Sequence, residues 1–262
     1  MKKSGGIIGA LLFIIVAAIS AFFGVDLIDT SQTTPSDMVA PVDVEAEIEP
    51  ELAIGETNHD WYEIYFTDPS CPAVEDRVDG LDEVLAADIR TAERQIDVAA
   101  FDLDSEPIVE ALIEKRKEGI NVRVVTDSDN GDLPSIRRLR RNGISVPEDK
   151  RSALMHNKFI VIDGRVVWTG SMNLTTNGVH CNNNNLVRIE SPRFATNFVT
   201  EMDEMYEDRL FGPSSPENTP HTRLQIGGIE VETYFAPETE LAPMVARTIV
   251  RAQEEILFMA FS

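Results

Sequence analysis

The dipeptide Asp163-Gly164 separates two runs of β-branched and aromatic residues, at 159–162 and 166–169. Asp-Gly is favoured in two-residue turns between antiparallel strands, because both residues tolerate a positive φ. The pattern therefore predicts a β-hairpin over residues 154–173. A chain with this hairpin must contain a sheet, and the hairpin sets part of its strand order.

The length of the turn determines which hairpin residues face each other. If Asp163 and Gly164 form the whole loop, Lys158 lies opposite Thr169 and His156 lies opposite Ser171. Side chains alternate between the two faces of a strand. This register places four polar side chains together on one face: those of His156, Lys158, Ser171 and Asn173. Asp163 is predicted to lie apart from them, in the turn.

The four polar side chains suit a phosphodiester substrate. A neutral histidine can attack phosphorus and form a covalent phosphoryl intermediate without a metal ion. Lys158 and Asn173 can stabilise the negative charge that grows on the phosphate oxygens, and Ser171 can orient the imidazole or donate to phosphate. The same residues also suit an ordinary polar face on an exposed hairpin. The hairpin by itself leaves both interpretations open.

Apolar residues before the hairpin follow helical and strand periods in turn. Residues 81–92 and 105–119 show helical spacing, whereas 96–101 and 120–126 are short apolar runs typical of buried strands. Strand–helix–strand units with short connections favour a parallel sheet covered by helices. The sequence therefore predicts an α/β fold with a mixed, mostly parallel sheet flanked by helices.

The first 58 residues differ in composition from the rest. Residues 5–25 carry no charge and are long enough to cross a bilayer as a helix. Two lysines precede this run and only acids follow it closely, which places the rest of the chain outside. We expect residues 1–27 to be a membrane anchor or a cleaved signal peptide, and residues 28–58 to be an acidic disordered linker. The folded part is then extracytoplasmic, either anchored or secreted.

Charge is unevenly distributed along the chain. The formal net charge of −22 does not suggest a protein that coats nucleic acid or anionic lipid. Residues 115–151, however, contain ten basic and six acidic residues, so a basic surface is possible inside an acidic protein.

Cys71 and Cys181 match no zinc-binding spacing. In an oxidising compartment they form either one disulfide or two unpaired thiols.

Residues 89–101 are repeated at 249–261, with five identities at a constant offset of 160. Chance similarity between two amphipathic segments is the alternative explanation. A true repeat predicts one domain over residues 59–212 and the start of an incomplete second copy over 213–262. A second histidine motif is then expected near position 316, beyond the 262 residues of this sequence.

The segment His156-x-Lys158, followed by Asp163 and by Gly170-Ser171-x-Asn173, resembles the HKD motif of the phospholipase D superfamily. The resemblance extends over about residues 62–210. It implies a phospholipase D-like fold with a truncated second copy of the repeat, in a two-motif bacterial-type member. It also implies a site that uses neither a metal ion nor a cofactor.

In that family two motifs meet across a pseudo-twofold axis. One histidine is the nucleophile, and the other protonates the leaving oxygen and then activates water. The resemblance implies that His156 takes one of these roles, that Lys158, Ser171 and Asn173 bind phosphate, and that Asp163 supports the motif from outside the pocket. The second motif is expected in a C-terminal region absent from this sequence or in a homodimer partner.

Two further residues are expected to support the site: Gly170 in the motif, and Asn184 in the Asn-rich segment after it. Family members often carry a glutamate in that segment, and an amide cannot replace a carboxylate as a partner for histidine. Asn184 therefore either has a direct role or lies in a polar loop.

Hydrolysis of phospholipid phosphodiester bonds through a phosphohistidine intermediate is the expected activity. Three alternatives remain from the sequence: an endonuclease on DNA or RNA with the same mechanism, a phosphatidyltransferase similar to cardiolipin synthase, and a non-catalytic truncated module. A membrane tether favours lipid, whereas the basic window at 115–151 favours nucleic acid.

Overall fold

A computed structural model describes residues 61–71 and 80–257 of the chain. The predicted anchor or signal peptide at 1–27 and the predicted linker at 28–58 lie outside these residues. Within the described ranges, no helix has both the length and the apolar character that a bilayer span requires.

A six-stranded sheet forms the centre of the structure, in the order β1-β6-β5-β4-β2-β3. Its strands are β1 (Tyr62–Phe66), β2 (Gln95–Ala100), β3 (Asn121–Thr126), β4 (Lys158–Ile162), β5 (Val166–Gly170) and β6 (Asn185–Glu190). A separate hairpin consists of β7 (Arg223–Ile226) and β8 (Ile229–Glu232). The helices are α1 (Leu81–Arg90), α2 (Glu106–Lys117), α3 (Pro134–Arg141), α4 (Thr176–His180), α5 (Pro192–Asp203) and α6 (Leu241–Arg251). The predicted mixed α/β architecture is confirmed.

The prediction that the sheet is mostly parallel is wrong. Only β2 and β3 pair in parallel, while the other four neighbouring pairs in the sheet are antiparallel. A parallel pair needs a crossover connection of a dozen or more residues. Helix α2 provides that connection between β2 and β3, but a tight turn joins β4 to β5.

Apolar side chains cover both faces of the sheet. One face packs against α1, α2 and α3, with a core that includes Ile96, Val124, Ile160, Leu85, Leu112 and Ile136. The other face packs against α5 and the β7–β8 hairpin, with a core that includes Phe159, Val161, Phe194, Phe198, Leu224 and Phe235. The two layers cover both faces of β2 and β4, which lie inside the sheet, and the predicted site begins at the ends of these strands.

The predicted internal repeat is only partly within the described residues. Helix α6 begins at Leu241, which is 160 residues after the first residue of α1, Leu81. Residues 255–257 form no strand, and 258–262 lie outside the described residues. The β7–β8 hairpin packs on the first domain through Leu224 and Val231, and after it the ring of Phe235 lies 5.3 Å from that of Phe198, between centroids. The boundary at 212/213 and the repeat therefore remain predictions.

Cys71 and Cys181 form a disulfide, with 5.1 Å between their Cα atoms. It joins the segment after β1 to the end of α4 across a sequence separation of 110 residues. Nearby, the N–H of Ser70 donates to the carbonyl of His180 at 2.7 Å. Of the two alternatives left open by the sequence, the structure has the disulfide.

Removing this disulfide is expected to lower the free energy of unfolding by about 2–4 kcal/mol, because the unfolded chain regains the freedom that a long closed loop lacks. The double variant Cys71→Ser, Cys181→Ser avoids a free thiol and is to be compared with the wild type in urea unfolding, with and without reductant. Reductant should destabilise the wild type to the level of the variant and leave the variant unchanged. A wild type insensitive to reductant would show that the cysteines do not pair in solution.

Candidate active site

His156 lies on the segment that enters β4, at the carboxyl end of β2. Lys158 pairs with Ala100, the last residue of β2. The N–H of Phe101 donates to the carbonyl of Asn157 at 3.1 Å. The ring centroid of Phe101 lies 4.8 Å from that of His156 and 5.5 Å from Nζ of Lys158. The end of β2 therefore holds the imidazole and the ammonium group side by side.

Burial changes the protonation of both side chains. It lowers the pKa of His156 to about 4, and the positive charge of Lys158 adds to this effect. Burial also lowers the pKa of Lys158 to about 8, although the negative charge of Asp102 opposes the shift. Nζ of Lys158 donates to the carbonyl of His156 at 3.0 Å. At neutral pH the imidazole is therefore neutral and the lysine is mostly charged, as nucleophilic attack on an anionic phosphodiester requires.

The predicted hairpin forms, but its register is shifted by one residue. Asp163 and Gly164 have φ values of 56° and 66°, as the Asp-Gly turn requires. Arg165 is an additional loop residue, so that Ile162 pairs with Val166 and Phe159 pairs with Thr169. The predicted pairs Lys158–Thr169 and His156–Ser171 are wrong, because the additional loop residue moves every later pair by one position.

Ser171 and Asn184 interact with each other rather than with His156. The hydroxyl of Ser171 donates to Oδ1 of Asn184 at 3.0 Å and accepts from the N–H of Asn185 at 3.1 Å. Nδ2 of Asn184 donates to the carbonyl of Gly178 at 2.8 Å. In the ranges that the structure describes, no hydrogen bond joins His156 to Ser171. The hydrogen bonds of Ser171 with Asn184 and Asn185 instead connect the end of β5 to the start of β6.

Gly170 occupies a position where the backbones of β5 and β6 approach closely. It pairs with Leu186, and a Cβ atom at residue 170 would collide with the carbonyl oxygen of Asn185. Only glycine therefore fits here without displacing β6. This is a structural reason for the glycine at this point of the motif.

Two buried oxygen atoms beside the site have no hydrogen-bond partner within the described residues: Oδ1 of Asn173 and Oδ1 of Asp102. Asp102 follows Phe101 at the end of β2, and its charge acts on Lys158. Burial raises the pKa of Asp102, and the neighbouring Asp104 adds to the shift. The segments after β2 and after β5 therefore both contribute polar groups with unused hydrogen-bonding capacity.

Comparison with known proteins identifies the domain that carries these residues. Residues 85–206 match a family model described as cardiolipin synthase, PLD-like domain. The mitochondrial cardiolipin hydrolase of Chlamydomonas reinhardtii is 32% identical over 119 residues, which cover 45% of this chain and 53% of that protein. The human protein of the same name is 34% identical over 127 residues, covering 47% and 49%. Residues 85–206 form a domain of the phospholipase D superfamily.

The similarity to other members of the phospholipase D superfamily covers part of each chain. A phospholipase D of Rickettsia conorii is 32% identical over 122 residues, covering 46% of this chain and 61% of that protein. This chain thus spans about half the length of the first curated relatives it matches, with coverages of 53% and 49%. A crystal structure of a phospholipase D family member, Nuc from Salmonella typhimurium, has a TM-score of 0.46 and 22% identity, covering 55% of this chain and 93% of that chain.

Asp163, the aspartate of the phospholipase D motif, lies at the opposite end of β4 from the histidine. At about 3.3 Å per residue, the five residues of β4 place it about 17 Å from Lys158. Its carboxylate accepts hydrogen bonds from three consecutive backbone N–H groups, those of Glu93 (2.9 Å), Arg94 (2.7 Å) and Gln95 (3.0 Å). Burial raises the pKa of Asp163, but these bonds outweigh that effect and hold the pKa below its usual value.

Replacing Asp163 is expected to reduce stability rather than catalysis. Asp163→Ala leaves three N–H groups without their acceptor and places a Cβ-bearing apolar residue at a φ of 56°. The expected loss is about 2–4 kcal/mol. Asp163→Asn tolerates the positive φ and keeps one acceptor, so its loss should be smaller. Urea unfolding measures both, and kcat per folded molecule should be retained. A stable but inactive Asp163→Ala variant would contradict this role.

Sequence reasoning missed three residues that shape the site: Phe101, Asp102 and Glu201. The sequence predicts Phe101 only as the last residue of a buried strand and gives it no part in the site. A carboxylate directly after that strand was a usable signal for Asp102, since sites in α/β sheets form at the carboxyl ends of strands. Glu201 of α5 accepts a hydrogen bond from Nδ2 of Asn157 at 3.2 Å. No local signal in the sequence connects α5 with the motif.

Proposed function

We propose that this protein is a metal-independent phosphodiesterase in which His156 is the nucleophile. The observation that carries the proposal is the position of the His156 imidazole and the Lys158 ammonium group against the same aromatic ring, that of Phe101. The low pKa of His156, about 4, keeps the ring unprotonated at neutral pH. Lys158 provides the positive charge that holds the phosphate oxygens, and Asn173 lies on the segment that follows β5.

The proposed reaction has two displacements at phosphorus. First, a ring nitrogen of His156 forms a bond to phosphorus while the bond to the leaving oxygen breaks, and that oxygen takes a proton from a general acid. Second, a water oxygen attacks phosphorus, the nitrogen–phosphorus bond breaks, and the water proton returns to the group that acted as acid. Lys158 stabilises the additional negative charge in both transition states.

The general acid in this proposal is a second histidine of the same motif type. It comes either from a homodimer partner or from a C-terminal region outside this sequence. The described residues contain the imidazole of one motif, at His156. A complete site then requires two halves to meet, which makes activity dependent on association when one chain supplies one half.

Phospholipid is the proposed substrate class. Curated relatives are named cardiolipin hydrolase and phospholipase D. The basic window at 115–151 offers less free charge than its composition suggests, because five of its basic side chains are in ion pairs: Lys115, Arg123, Arg138, Arg140 and Arg151. Ion-paired side chains neutralise fewer backbone phosphates, so this surface favours a polynucleotide less than the sequence indicated. The predicted membrane segment at 1–27 would also hold the site near a bilayer.

The test compares substrates with the purified full chain in excess EDTA. Vesicles of cardiolipin and of phosphatidylcholine, plasmid DNA and single-stranded RNA are offered at matched ionic strength. Release of phosphatidate from either lipid supports the proposal. Cleavage of nucleic acid alone would instead establish the nuclease alternative, and formation of a phosphatidyl ester with added alcohol, without hydrolysis, would establish the transferase. Loss of activity in EDTA would overturn the metal-independent mechanism.

A further inference from the structure

A tight turn after β3, residues 127–130, makes direct hydrogen bonds to the segment that carries His156. Asp127 is almost completely buried, at 1% exposure. One of its carboxylate oxygens, Oδ2, accepts from the N–H of Met155 at 2.7 Å, and Met155 is the residue immediately before His156. The other, Oδ1, accepts from the N–H of Asp129 at 2.8 Å and closes the turn itself. A single buried carboxylate therefore connects the β3 turn to the entry of β4.

The same turn also holds the aromatic ring beside His156. Nδ2 of Asn130 donates to the carbonyl of Phe101 at 2.7 Å. Phe101 in turn donates through its N–H to the carbonyl of Asn157, and its ring contacts the ring of His156 edge-on at 4.8 Å. The backbone of His156 is thus held on its N-terminal side through Met155 and on its C-terminal side through Asn157.

We propose that Asp127 and Asn130 are positioning residues for His156, which fix the direction of its ring through Met155 and Phe101. This inference rests on the proposed function of His156 as nucleophile. Both side chains bond to backbone groups: Asp127 to the N–H groups of Asp129 and Met155, and Asn130 to the carbonyl of Phe101. Residues 153–157 lie outside any helix or strand, so strand pairing does not hold the histidine in place. Displacing a reacting group by about 1 Å can lower the rate about 100-fold. Hydrogen bonds that hold the segment around His156 in place can therefore affect the rate strongly.

The two side chains act by complementary hydrogen bonding. The Asp127 carboxylate is acceptor-only, which matches the two N–H donors that it meets. An amide at position 127 keeps the shape but turns one acceptor into a donor, so that one of the two N–H groups faces another donor. Asn130 uses its donor on the carbonyl of Phe101, and a carboxylate at 130 would face that carbonyl with an acceptor. Each substitution therefore reverses one bond while leaving the volume unchanged.

The experiment compares Asp127→Asn and Asn130→Asp with Asp129→Asn as a matched control. Asp129 belongs to the same turn but is exposed, and its side chain makes no hydrogen bond within the described residues. We expect Asp127→Asn to lower kcat by about 10- to 100-fold with little change in KM, since it disturbs the direction of attack and not the binding of phosphate. Asn130→Asp should have a smaller effect of the same kind. The control should retain the wild-type kcat.

The NMR resonances of the His156 ring distinguish a change in ring position from a general loss of stability. Positioning predicts that the ring resonances of His156 shift or broaden in Asp127→Asn and Asn130→Asp at temperatures where both variants are fully folded, but not in Asp129→Asn. Unchanged ring resonances and an unchanged kcat per folded molecule would overturn the inference. If the wild type has no phosphodiesterase activity, the proposed function fails, while the ring resonances still report whether the turn positions His156.

Discussion

Replacing His156 with alanine is expected to reduce phosphodiester hydrolysis by about 10⁴-fold or more, because no covalent intermediate can form without the imidazole. His156→Asn tests the same point with a side chain of similar size that is not a nucleophile. Initial rates on phospholipid vesicles in EDTA provide the measurement. The wild type, quenched during turnover, should carry the phosphatidyl group on histidine through an acid-labile, base-stable nitrogen–phosphorus bond, and neither variant should carry it.

The matched control for this experiment is His221→Ala. His221 precedes β7 and its Nδ1 lies 3.3 Å from the guanidinium of Arg193, away from the motif. Loss of a histidine there should leave turnover near the wild-type level. Full activity in His156→Ala, or a trapped phosphatidyl group on a residue other than His156, would refute the nucleophile assignment.

Lys158 is expected to determine how activity responds to alkaline pH. Its pKa of about 8 means that the ammonium charge is lost as the pH rises through 8. The pKa of His156, about 4, means that the nucleophile is neutral everywhere above that value. The titration of His156 should make kcat/KM rise near pH 4, and the loss of the Lys158 charge should make it fall near pH 8, in addition to the fall that follows when the general-acid histidine loses its proton. Lys158→Ala should lower kcat/KM by about 10²- to 10³-fold at pH 7.

Lys158→Arg separates the charge of residue 158 from other groups that titrate in the same range. A guanidinium stays charged, so the fall near pH 8 should disappear even if the maximum rate is lower. Glu201 has a pKa that burial, with Glu238 and Glu204, raises to about 8. If the alkaline fall persists in Lys158→Arg and disappears in Glu201→Gln, the assignment to Lys158 is wrong.

Stability should move in the opposite direction to activity over this range. The folded-state pKa of Lys158 lies below its ordinary value of 10.5, so the charged lysine is less favourable in the folded protein than in the unfolded chain. The free energy of unfolding should therefore gain a contribution as the pH rises from about 8 towards 10.5, where the unfolded chain also loses its proton. Urea unfolding of the wild type and Lys158→Arg at these pH values isolates that contribution.

The hairpin shows which parts of this structure local sequence patterns can predict. Runs of β-branched and aromatic residues on both sides of Asp163-Gly164 were sufficient to predict two paired strands, and these are β4 and β5. The predicted register is wrong by one residue because Arg165 also belongs to the loop, and the same local sequence is compatible with either loop length. The neighbour of β4 on its other side, β2, lies more than 50 residues earlier and could not be inferred from the turn.

Sequence alone determined the identity of the chemical groups in the motif and the presence of the strands and helices that carry them. Both follow from local rules: side-chain chemistry, periodicity and turn preference. Tertiary structure decided the environment of those groups. The pKa of His156 depends on burial and on the charge of Lys158. The proposed support of its ring comes from Phe101 and Asp127, which directly follow β2 and β3. Desolvation and hydrogen bonding act between atoms close in space, so they become defined only when strands distant in sequence pair in one sheet.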